Sequence, residues 1–241
     1  MIANKKLILI VDMLKGFTEI GLLSSPYIKK LVPKIKEFLE DESETDNIFA
    51  CDSHSIYDLE MKVYPAHCLK NTIESEIDDD LKPYAKQIVL KTTTNSFFEL
   101  NLKEIETYDT IEIVGCCTDI CILQLALNLK TYFNKLNMDK QIVVFKDLVD
   151  TFDNKEHKRD EFHDFALKLM KNSGILIKKL EIKKSKFSTF LYEQFLEMVR
   201  PRGLEPPTQW LKAICSTAWA KGAYGARNWT WTSTTITVKG F

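Results

Sequence analysis

The stretch TIEIVGCCTDICILQLAL, residues 110–127, decides the fold class. It passes from a nearly continuous run rich in Ile and Val to an amphipathic helical pattern. A short apolar run of this kind suits a strand buried on both faces. Strand and helix alternate in the same way along much of the chain. Such alternation implies right-handed crossovers and a parallel sheet covered by helices on both sides.

The remaining segments repeat this arrangement. Six apolar runs are predicted strands: 6–13, 47–52, 87–91, 110–115, 141–146 and 174–180. Amphipathic patterns predict helices at 25–41, 119–136 and 157–174. The sequence therefore predicts an α/β protein of three-layer α-β-α, Rossmann-like architecture, with a six-stranded parallel sheet in the order 3-2-1-4-5-6. The long connection 53–86 interrupts this alternation of strands and helices. An irregular segment of that length in a compact domain often carries functional residues.

Composition argues against several classes of protein. The chain has 241 residues and a formal net charge of -1, which gives no reason to expect a nucleic-acid or membrane-surface partner. No apolar run approaches the length of a membrane-spanning helix, and the first residues lack the cleavage site of a secretory signal. We expect a cytoplasmic protein whose six cysteines are reduced thiols. Its expected partner is a small molecule, and the sequence leaves a homo-oligomeric state open.

Reactive side chains follow the predicted strands at their carboxyl ends. Asp12 follows the first strand, Asp52 and His54 follow the second, Lys91 follows the third, and the stretch 116–121 follows the fourth. Open parallel sheets bind their ligands beyond this edge. The sequence therefore predicts that a carboxylate, a lysine, an acid-histidine pair and cysteines lie close together.

Three cysteines lie close together after the fourth strand. If the helix begins just before Cys121, backbone N–H groups and the positive end of the helix dipole lower the pKa of its thiol. A thiolate there would be a nucleophile, with Asp12 placed to take the thiol proton and return it to a leaving group. Lys91 would keep that carboxylate ionised. For Cys116 and Cys117 the more frequent role is that of small buried apolar residues.

The connection after the second strand contains a mixed set of nitrogen and oxygen ligands. Asp52 and His54 are two residues apart, so an extended backbone points both side chains to the same side. His67 follows further along, and Glu60 lies between the two histidines. Two imidazoles and one or two carboxylates suit one divalent metal ion, Zn²⁺ first, with Fe²⁺ or Mn²⁺ as alternatives. The spacing is also compatible with a surface histidine pair that arises by chance.

The other two histidines, His157 and His163, lie on a charged helical pattern. We interpret them as solvated or capping residues, because the segment around them is polar. The sequence predicts no role for them in a site.

Together these residues resemble the isochorismatase-like cysteine hydrolases, and within them the nicotinamidases. The resemblance covers about residues 5–183 and rests on motifs that occur in the family's order. They are VDMLKGF at 11–17, DSH at 52–54 with YPAHC at 64–68, LKTTTNSFF at 90–98 and GCCTDIC at 115–121. The combination is far more specific than any one of these motifs.

The resemblance implies a role for each matching residue. Cys121 would be the nucleophile, Asp12 the proton shuttle and Lys91 the third member of the triad. A cis peptide bond between Cys116 and Cys117 would let the N–H groups of Cys117 and Cys121 form an oxyanion hole. The other implied roles are metal ligation by Asp52, His54 and His67, with Glu60 as a fourth ligand in some members, and aromatic walls from Phe17 and Tyr64.

The implied activity is that of a metal-dependent cysteine amidohydrolase acting on a linear amide C–N bond. It would convert nicotinamide to nicotinate and ammonia through a thioester, in NAD salvage. Two alternatives stay open: a sister hydrolase acting on another small amide or carbamoyl compound, and a catalytically silent binding or scaffold protein. Departures from the family pattern at Leu14, Tyr64 and Asn95 concern the pocket lining more than the triad, so they bear first on substrate preference.

The composition changes near residue 200. From that position onward the chain has six Lys or Arg residues against one acidic residue, and it contains all four tryptophans. We predict a hydrolase domain over 1–183, a C-terminal helix over 184–200 and a basic, Trp-rich extension over 201–241. The extension is an interaction arm, a lid for a partner subunit, or translated sequence outside the evolved domain. We favour the last because most of it lacks periodicity.

Overall fold

A six-stranded parallel sheet in the order β3-β2-β1-β4-β5-β6 forms the centre of a compact unit that spans Met1–Lys183. Its strands are β1 (Lys6–Val11), β2 (Asp46–Asp52), β3 (Gln87–Lys91), β4 (Thr110–Cys116), β5 (Gln141–Asp150) and β6 (Leu176–Lys178). The predicted fold class and strand order are confirmed. The order of the strands reverses between β1 and β4, and in open α/β sheets such a switch point is where ligands bind.

Helices cover the sheet between the strands. They are α1 (Lys15–Thr18), α2 (Pro26–Lys29), α3 (Val32–Asp41), α4 (Leu102–Ile105), α5 (Leu123–Lys135) and α6 (Arg159–Asn172). A π-helical turn, Thr118–Ile122, comes immediately before α5. The single helix predicted at 25–41 is divided into α2 and α3, because Pro33 has no N–H with which to continue the hydrogen-bond ladder from α2.

The long connection between β2 and β3 contains three short 3-10 turns, at Leu59–Lys62, Ile73–Ser75 and Lys82–Tyr84. It folds back beside the end of β2 through two backbone hydrogen bonds. The N–H of His54 donates to Cys68 O at 3.1 Å, and the N–H of Lys70 donates to His54 O at 2.8 Å. These bonds bring the two ends of the predicted metal-binding segment next to each other.

Each face of the sheet carries a hydrophobic core. Ile8 and Ile10 of β1 belong to one buried cluster, whereas Leu7, Leu9 and Val11 belong to the other. Alternate residues of a strand point to opposite faces, so β1 contributes to both layers. Burial on both faces explains why β1 reads in the sequence as a continuous apolar run.

The end of β4 lies very close to the end of β1. Gly115 has a φ of 115°, and a Cβ at this position would lie 2.1 Å from the carbonyl oxygen of Val11. Glycine alone fits this contact and adopts this backbone conformation without strain. The glycine therefore lets the segment after β4 lie next to the residue that follows β1.

The computed structural model describes residues 4–180, 231–232 and 235–236. The chain divides into two compact units, Met1–Lys183 and Lys184–Phe241. In the second unit, β7 (Trp231–Thr232) pairs antiparallel with β8 (Thr235–Ile236). The predicted helix at 184–200 and most of the predicted extension at 201–241 lie outside the described residues.

Two expectations drawn from composition concern the described residues. Within this part of the chain, no helix is both long enough and apolar enough to cross a membrane. Its cysteines are free thiols, as the sequence predicts, and all of them are buried: Cys51, Cys68, Cys116, Cys117 and Cys121.

Candidate active site

Three predicted site residues meet beyond the carboxyl ends of β1, β3 and β4. Lys91, the last residue of β3, is fully buried, and its Nζ lies 2.8 Å from Asp12 Oδ2 and 4.0 Å from Cys121 Sγ. The same ammonium donates to Thr93 O at 3.1 Å and forms an ion pair with Asp52. Lys91 therefore joins the acid, the thiol and the neighbouring carboxylate at one point.

Asp12 is held by the backbone around it. It has a left-handed φ of 53°, and its N–H donates to Ala50 O at 2.9 Å. Its Oδ1 accepts a hydrogen bond from the N–H of Asp52 at 3.0 Å. Aspartate is one of the few residues besides glycine that adopts this conformation readily. This backbone conformation and these hydrogen bonds fix the carboxylate beyond the strand ends, where it faces Lys91.

Cys121 lies in the π-helical turn Thr118–Ile122, which we call the cysteine turn. The residue is 6 % exposed, so the thiol lies almost entirely inside the protein. The peptide bond between Cys116 and Cys117, just before the turn, is cis, which is the conformation that the family resemblance implies. The two N–H groups expected to form an oxyanion hole, those of Cys117 and Cys121, belong to the residue before the turn and to the turn itself.

Asp12 and Asp52 share Lys91, yet their pKa values move in opposite directions. Burial, followed by the negative charge of Asp52, raises the pKa of Asp12 to about 6, although Lys91 opposes this rise. Burial alone would also raise the pKa of Asp52. Instead the positive charge of Lys91 holds that pKa well below its usual range. Asp12 is therefore the carboxylate suited to exchanging a proton, and Asp52 stays ionised.

The Cys121 thiol needs a base. Burial raises its pKa well above the ordinary value, although the charge of Lys91 lowers it. The expectation that this pKa is lowered is wrong, because burial removes water from around the thiol and raises it. The carboxylate of Asp12 and the thiol both lie against Lys91 Nζ, at 2.8 Å and 4.0 Å. Asp12 is therefore the base within reach.

Asp52, His54 and His67 form a second group beside Lys91. The three residues are buried, and one ligand atom of each lies within 4.8 Å of those of the others. Nδ1 of His54 lies 3.2 Å from Asp58 Oδ2, and Nδ1 of His67 lies 2.8 Å from Pro65 O. Since both neighbours are acceptors, each Nδ1 carries a hydrogen and each Nε2 presents its lone pair.

This group fits a divalent cation. His54 Nε2 is buried and, among the described residues, has no hydrogen-bond partner. It faces Asp52 Oδ1 at 3.3 Å, and His67 Nε2 lies 3.6 Å from Asp52 Oδ2. Two imidazole lone pairs and an ionised carboxylate make a mixed nitrogen and oxygen ligand set of the kind that binds zinc and related metals.

Glu60 does not join this group. Its Oε1 accepts a hydrogen bond from the N–H of Thr94 at 2.7 Å, and the set of ligand atoms that lie together includes none of its atoms. The supporting carboxylate from the same connection is Asp58, which sequence reasoning missed. Its spacing of four residues from His54 was the available signal. Asp58 fixes the tautomer and orientation of that ring, as partners of metal-binding histidines commonly do.

Two aromatic rings flank the metal-ligand group. The ring centroid of Phe17 lies 5.7 Å from that of His67, and the centroid of Tyr64 lies 6.3 Å from it. Phe17 is buried and Tyr64 is half-buried. The two residues expected to form aromatic walls are therefore both found beside His67.

The interpretation of His157 and His163 as solvated or capping residues is wrong. His163 is buried, with Nδ1 2.9 Å from Thr118 Oγ1. His157 Nε2 lies 2.7 Å from Asp119 Oδ2. A signal for His163 was present in the sequence, because it shares helical spacing, and one buried face, with Ala166 and Met170.

The family of the chain follows from sequence comparison. The model of the isochorismatase domain matches residues 6–181. The chain therefore belongs to the isochorismatase family and is an isochorismatase-like hydrolase. A search among curated proteins finds no match.

Solved structures share the fold. Nicotinamidase from Bacillus subtilis is 26% identical over 73% of this chain and 99% of that chain, with a TM-score of 0.59. N-carbamoylsarcosine amidase from Thermoplasma acidophilum is 24% identical over 74% of this chain and 99% of that chain, with a TM-score of 0.60. Pyrazinamidase of Pyrococcus horikoshii in complex with zinc is 24% identical over 73% of this chain and 99% of that chain, with a TM-score of 0.60.

Proposed function

We propose that this hydrolase is a metal-dependent nicotinamidase, which converts nicotinamide to nicotinate and ammonia in the salvage of NAD. One observation carries the proposal. The Nζ of Lys91 lies 2.8 Å from the Asp12 carboxylate and 4.0 Å from the Cys121 thiol, and it is ion-paired to Asp52 of the metal-ligand group. The similarity to the Bacillus subtilis nicotinamidase supports the choice of substrate.

In the first half-reaction, the Cys121 sulfur attacks the carboxamide carbon. The thiol proton passes to the Asp12 carboxylate as the sulfur–carbon bond forms, and the carbonyl electron pair moves onto oxygen. The N–H groups of Cys117 and Cys121 donate hydrogen bonds to this oxyanion. The carbon–nitrogen bond then breaks, and Asp12 returns the proton to the nitrogen, which leaves as ammonia.

In the second half-reaction, water attacks the carbonyl carbon of the thioester. Asp12 takes a proton from the water, the carbon–sulfur bond breaks, and the sulfur recovers a proton as nicotinate leaves. Lys91 stays protonated throughout, because the charges of Asp12, Cys121 and Asp52 overcome burial and raise its pKa well above the ordinary value. The raised pKa of Asp12 suits a group that takes and returns a proton in each half-reaction.

The metal-ligand group would hold the ion through Asp52, His54 and His67. When bound, the ion supplies a Lewis-acid contact for the pyridine nitrogen, or for a water beside it, and so orients the ring. The similar pyrazinamidase is a complex with zinc, which makes Zn²⁺ the first ion to test, before Fe²⁺ and Mn²⁺. Phe17 and Tyr64 would contact the faces of the aromatic ring.

Ammonia release tests the proposal most simply. We expect the highest kcat/KM with nicotinamide, a lower value with pyrazinamide and the lowest with N-carbamoylsarcosine. Chelation should abolish the release from nicotinamide, and added Zn²⁺ should restore it. A preference for the carbamoyl compound would instead select a sister hydrolase. No turnover of any of these compounds by the metal-loaded protein would favour a binding protein.

A further inference from the structure

The loop and helix that follow β5 contact the cysteine turn at two consecutive residues. His163 of α6 approaches Thr118, and His157 of the preceding loop approaches Asp119. Neither histidine belongs to the metal-ligand group or contacts Asp12 or Lys91. Both contacts nonetheless end on the turn that carries Cys121.

The first contact is buried. His163 is 9% exposed and Thr118 is fully enclosed, and Nδ1 of the ring lies 2.9 Å from the threonine Oγ1. Burial lowers the pKa of His163, so the neutral ring offers one donor nitrogen and one acceptor nitrogen. A hydroxyl serves either role, which makes threonine a suitable partner for a neutral imidazole.

The second contact links an imidazole to a carboxylate. Nε2 of His157 lies 2.7 Å from Asp119 Oδ2, and Nδ1 lies 3.2 Å from Phe152 O. Both ring nitrogens therefore face acceptors, a carboxylate and a carbonyl. The imidazole lies between the rings of Phe152 and Phe162, with each centroid 4.0 Å away and interplanar angles of 17° and 24°. This stacking holds the ring beside Asp119.

The carboxylate of Asp119 depends on this contact. Its second oxygen, Oδ1, is buried and has no hydrogen-bond partner in the part of the chain that the structure describes. Loss of the imidazole would leave a nearly enclosed carboxylate without a donor, which is costly. The turn is therefore held with Asp119 facing His157.

We propose that His157 and His163 are positioning residues for the cysteine turn. They fix its first two residues and so hold the Cys121 thiol opposite its base. The kinetic part of this inference rests on the proposed function, because it uses amide hydrolysis as its readout. The structural part does not, since the order of the turn is measurable without any substrate.

A pair of substitutions at Thr118 tests the first contact in the full-length protein. Thr118→Val removes the hydroxyl, whereas Thr118→Ser keeps it. We expect Thr118→Val to lower kcat about 10-fold to 100-fold and to change KM less than about two-fold, because substrate binding is retained while the nucleophile is misplaced. Hydrogen exchange of the amides 118–122 should become faster. In the Thr118→Ser variant, both kcat and the exchange rate of these amides should stay near the wild-type values.

A second substitution tests the other contact and keeps the local packing. His157→Phe leaves an aromatic ring between Phe152 and Phe162 but removes both hydrogen bonds of the imidazole. The expected result is again a lower kcat with little change in KM, together with faster exchange in the turn. If Thr118→Val does not fold, His157→Phe carries the test.

Ala166→Gly provides the matched control. Ala166 lies about one turn after His163 in α6. Its replacement by glycine destabilises the helix without removing a hydrogen bond to the cysteine turn. We expect a lower unfolding midpoint with unchanged kcat and unchanged exchange at 118–122. The inference is overturned if Thr118→Val and His157→Phe behave like wild type, or if Ala166→Gly causes the same losses. If the wild-type protein hydrolyses no amide, the proposed function fails, and the exchange comparison still decides this inference.

Discussion

Asp12 and Asp52 lie at the carboxyl ends of neighbouring strands and contact the same lysine, but their surroundings suit them to different tasks. Their burial is nearly the same, at 1% and 3% exposure. The difference lies in the balance of burial and charge at each carboxylate. The charge of Lys91 holds the pKa of Asp52 well below the usual range, whereas burial and the charge of Asp52 raise the pKa of Asp12. Equal burial thus yields one proton carrier and one permanent anion.

The strongest way to break this comparison is Asp12→Asn. Asparagine keeps the shape and an acceptor for the N–H of Asp52 but does not take a proton from Cys121. We expect kcat to fall roughly 10²-fold to 10⁴-fold, with KM and bound metal nearly unchanged. Steady-state kinetics with metal analysis of the same samples would check this. A kcat within about three-fold of wild type would remove Asp12 from the role of proton shuttle.

The matching change at the second carboxylate is Asp52→Asn. It should act mainly on the metal, because an amide oxygen is a weaker ligand than a carboxylate. We expect Zn²⁺ affinity to fall about 100-fold, with part of the activity recovered at high Zn²⁺ concentration. Calorimetric titration of the metal-free protein measures the affinity. Wild-type affinity for Zn²⁺ in this variant would contradict the assignment of Asp52 as a ligand.

A smaller effect of the same kind is expected for Asp58→Asn. The amide group still contacts His54 Nδ1 but no longer provides the negative charge that makes the ring a better ligand. Zn²⁺ affinity should fall about 10-fold, at the low end of the range for such supporting residues. The same titration on Glu60→Gln is the control, since Glu60 bonds to Thr94 rather than to the ligand group. Equal losses of Zn²⁺ affinity in the two variants would contradict the conclusion that Asp58, and not Glu60, supports the metal-ligand group.

The fold was largely predictable from the sequence. Buried parallel strands read as apolar runs, and their carboxyl ends gave the positions of Asp12, Asp52 and Lys91 at one edge. The pKa of Cys121 was not predictable, because its direction depends on how completely the folded chain excludes water from the thiol. The contacts of Glu60 and His157 were not predictable either. These contacts depend on which distant segment of the chain packs against each residue. The spacing of nearby residues in the sequence does not contain that information.

His163 is a buried base, and its burial should make the stability of the folded protein depend on pH. Burial lowers the pKa of His163, so the folded state favours the neutral ring. The stability linked to this ring is complete above about pH 6.5 and is lost as the pH falls through the folded pKa. Urea unfolding of wild type and His163→Gln at about pH 7.5 and about pH 5.5 measures it. The wild type should lose more stability than the variant on acidification, and equal losses would contradict the expectation.

The smallest effect is expected from truncation after residue 200. The triad, the metal-ligand group and the aromatic walls all lie within residues 4–180, so the proposed chemistry needs none of the basic, Trp-rich segment. We expect kcat and KM with nicotinamide to stay within about two-fold of the full-length values. Loss of folding or turnover in the shortened chain would show that the segment is part of the working protein.

The central claim is that Cys121 carries the acyl group of nicotinamide during turnover. Rapid acid quenching of the zinc-loaded protein with nicotinamide, followed by mass spectrometry of its peptides, tests this most directly. A nicotinoyl thioester on the peptide that contains Cys121, absent from the Cys121→Ala variant, is the predicted result. Ammonia release from nicotinamide by Cys121→Ala, or an acyl group on a different cysteine, would contradict the claim.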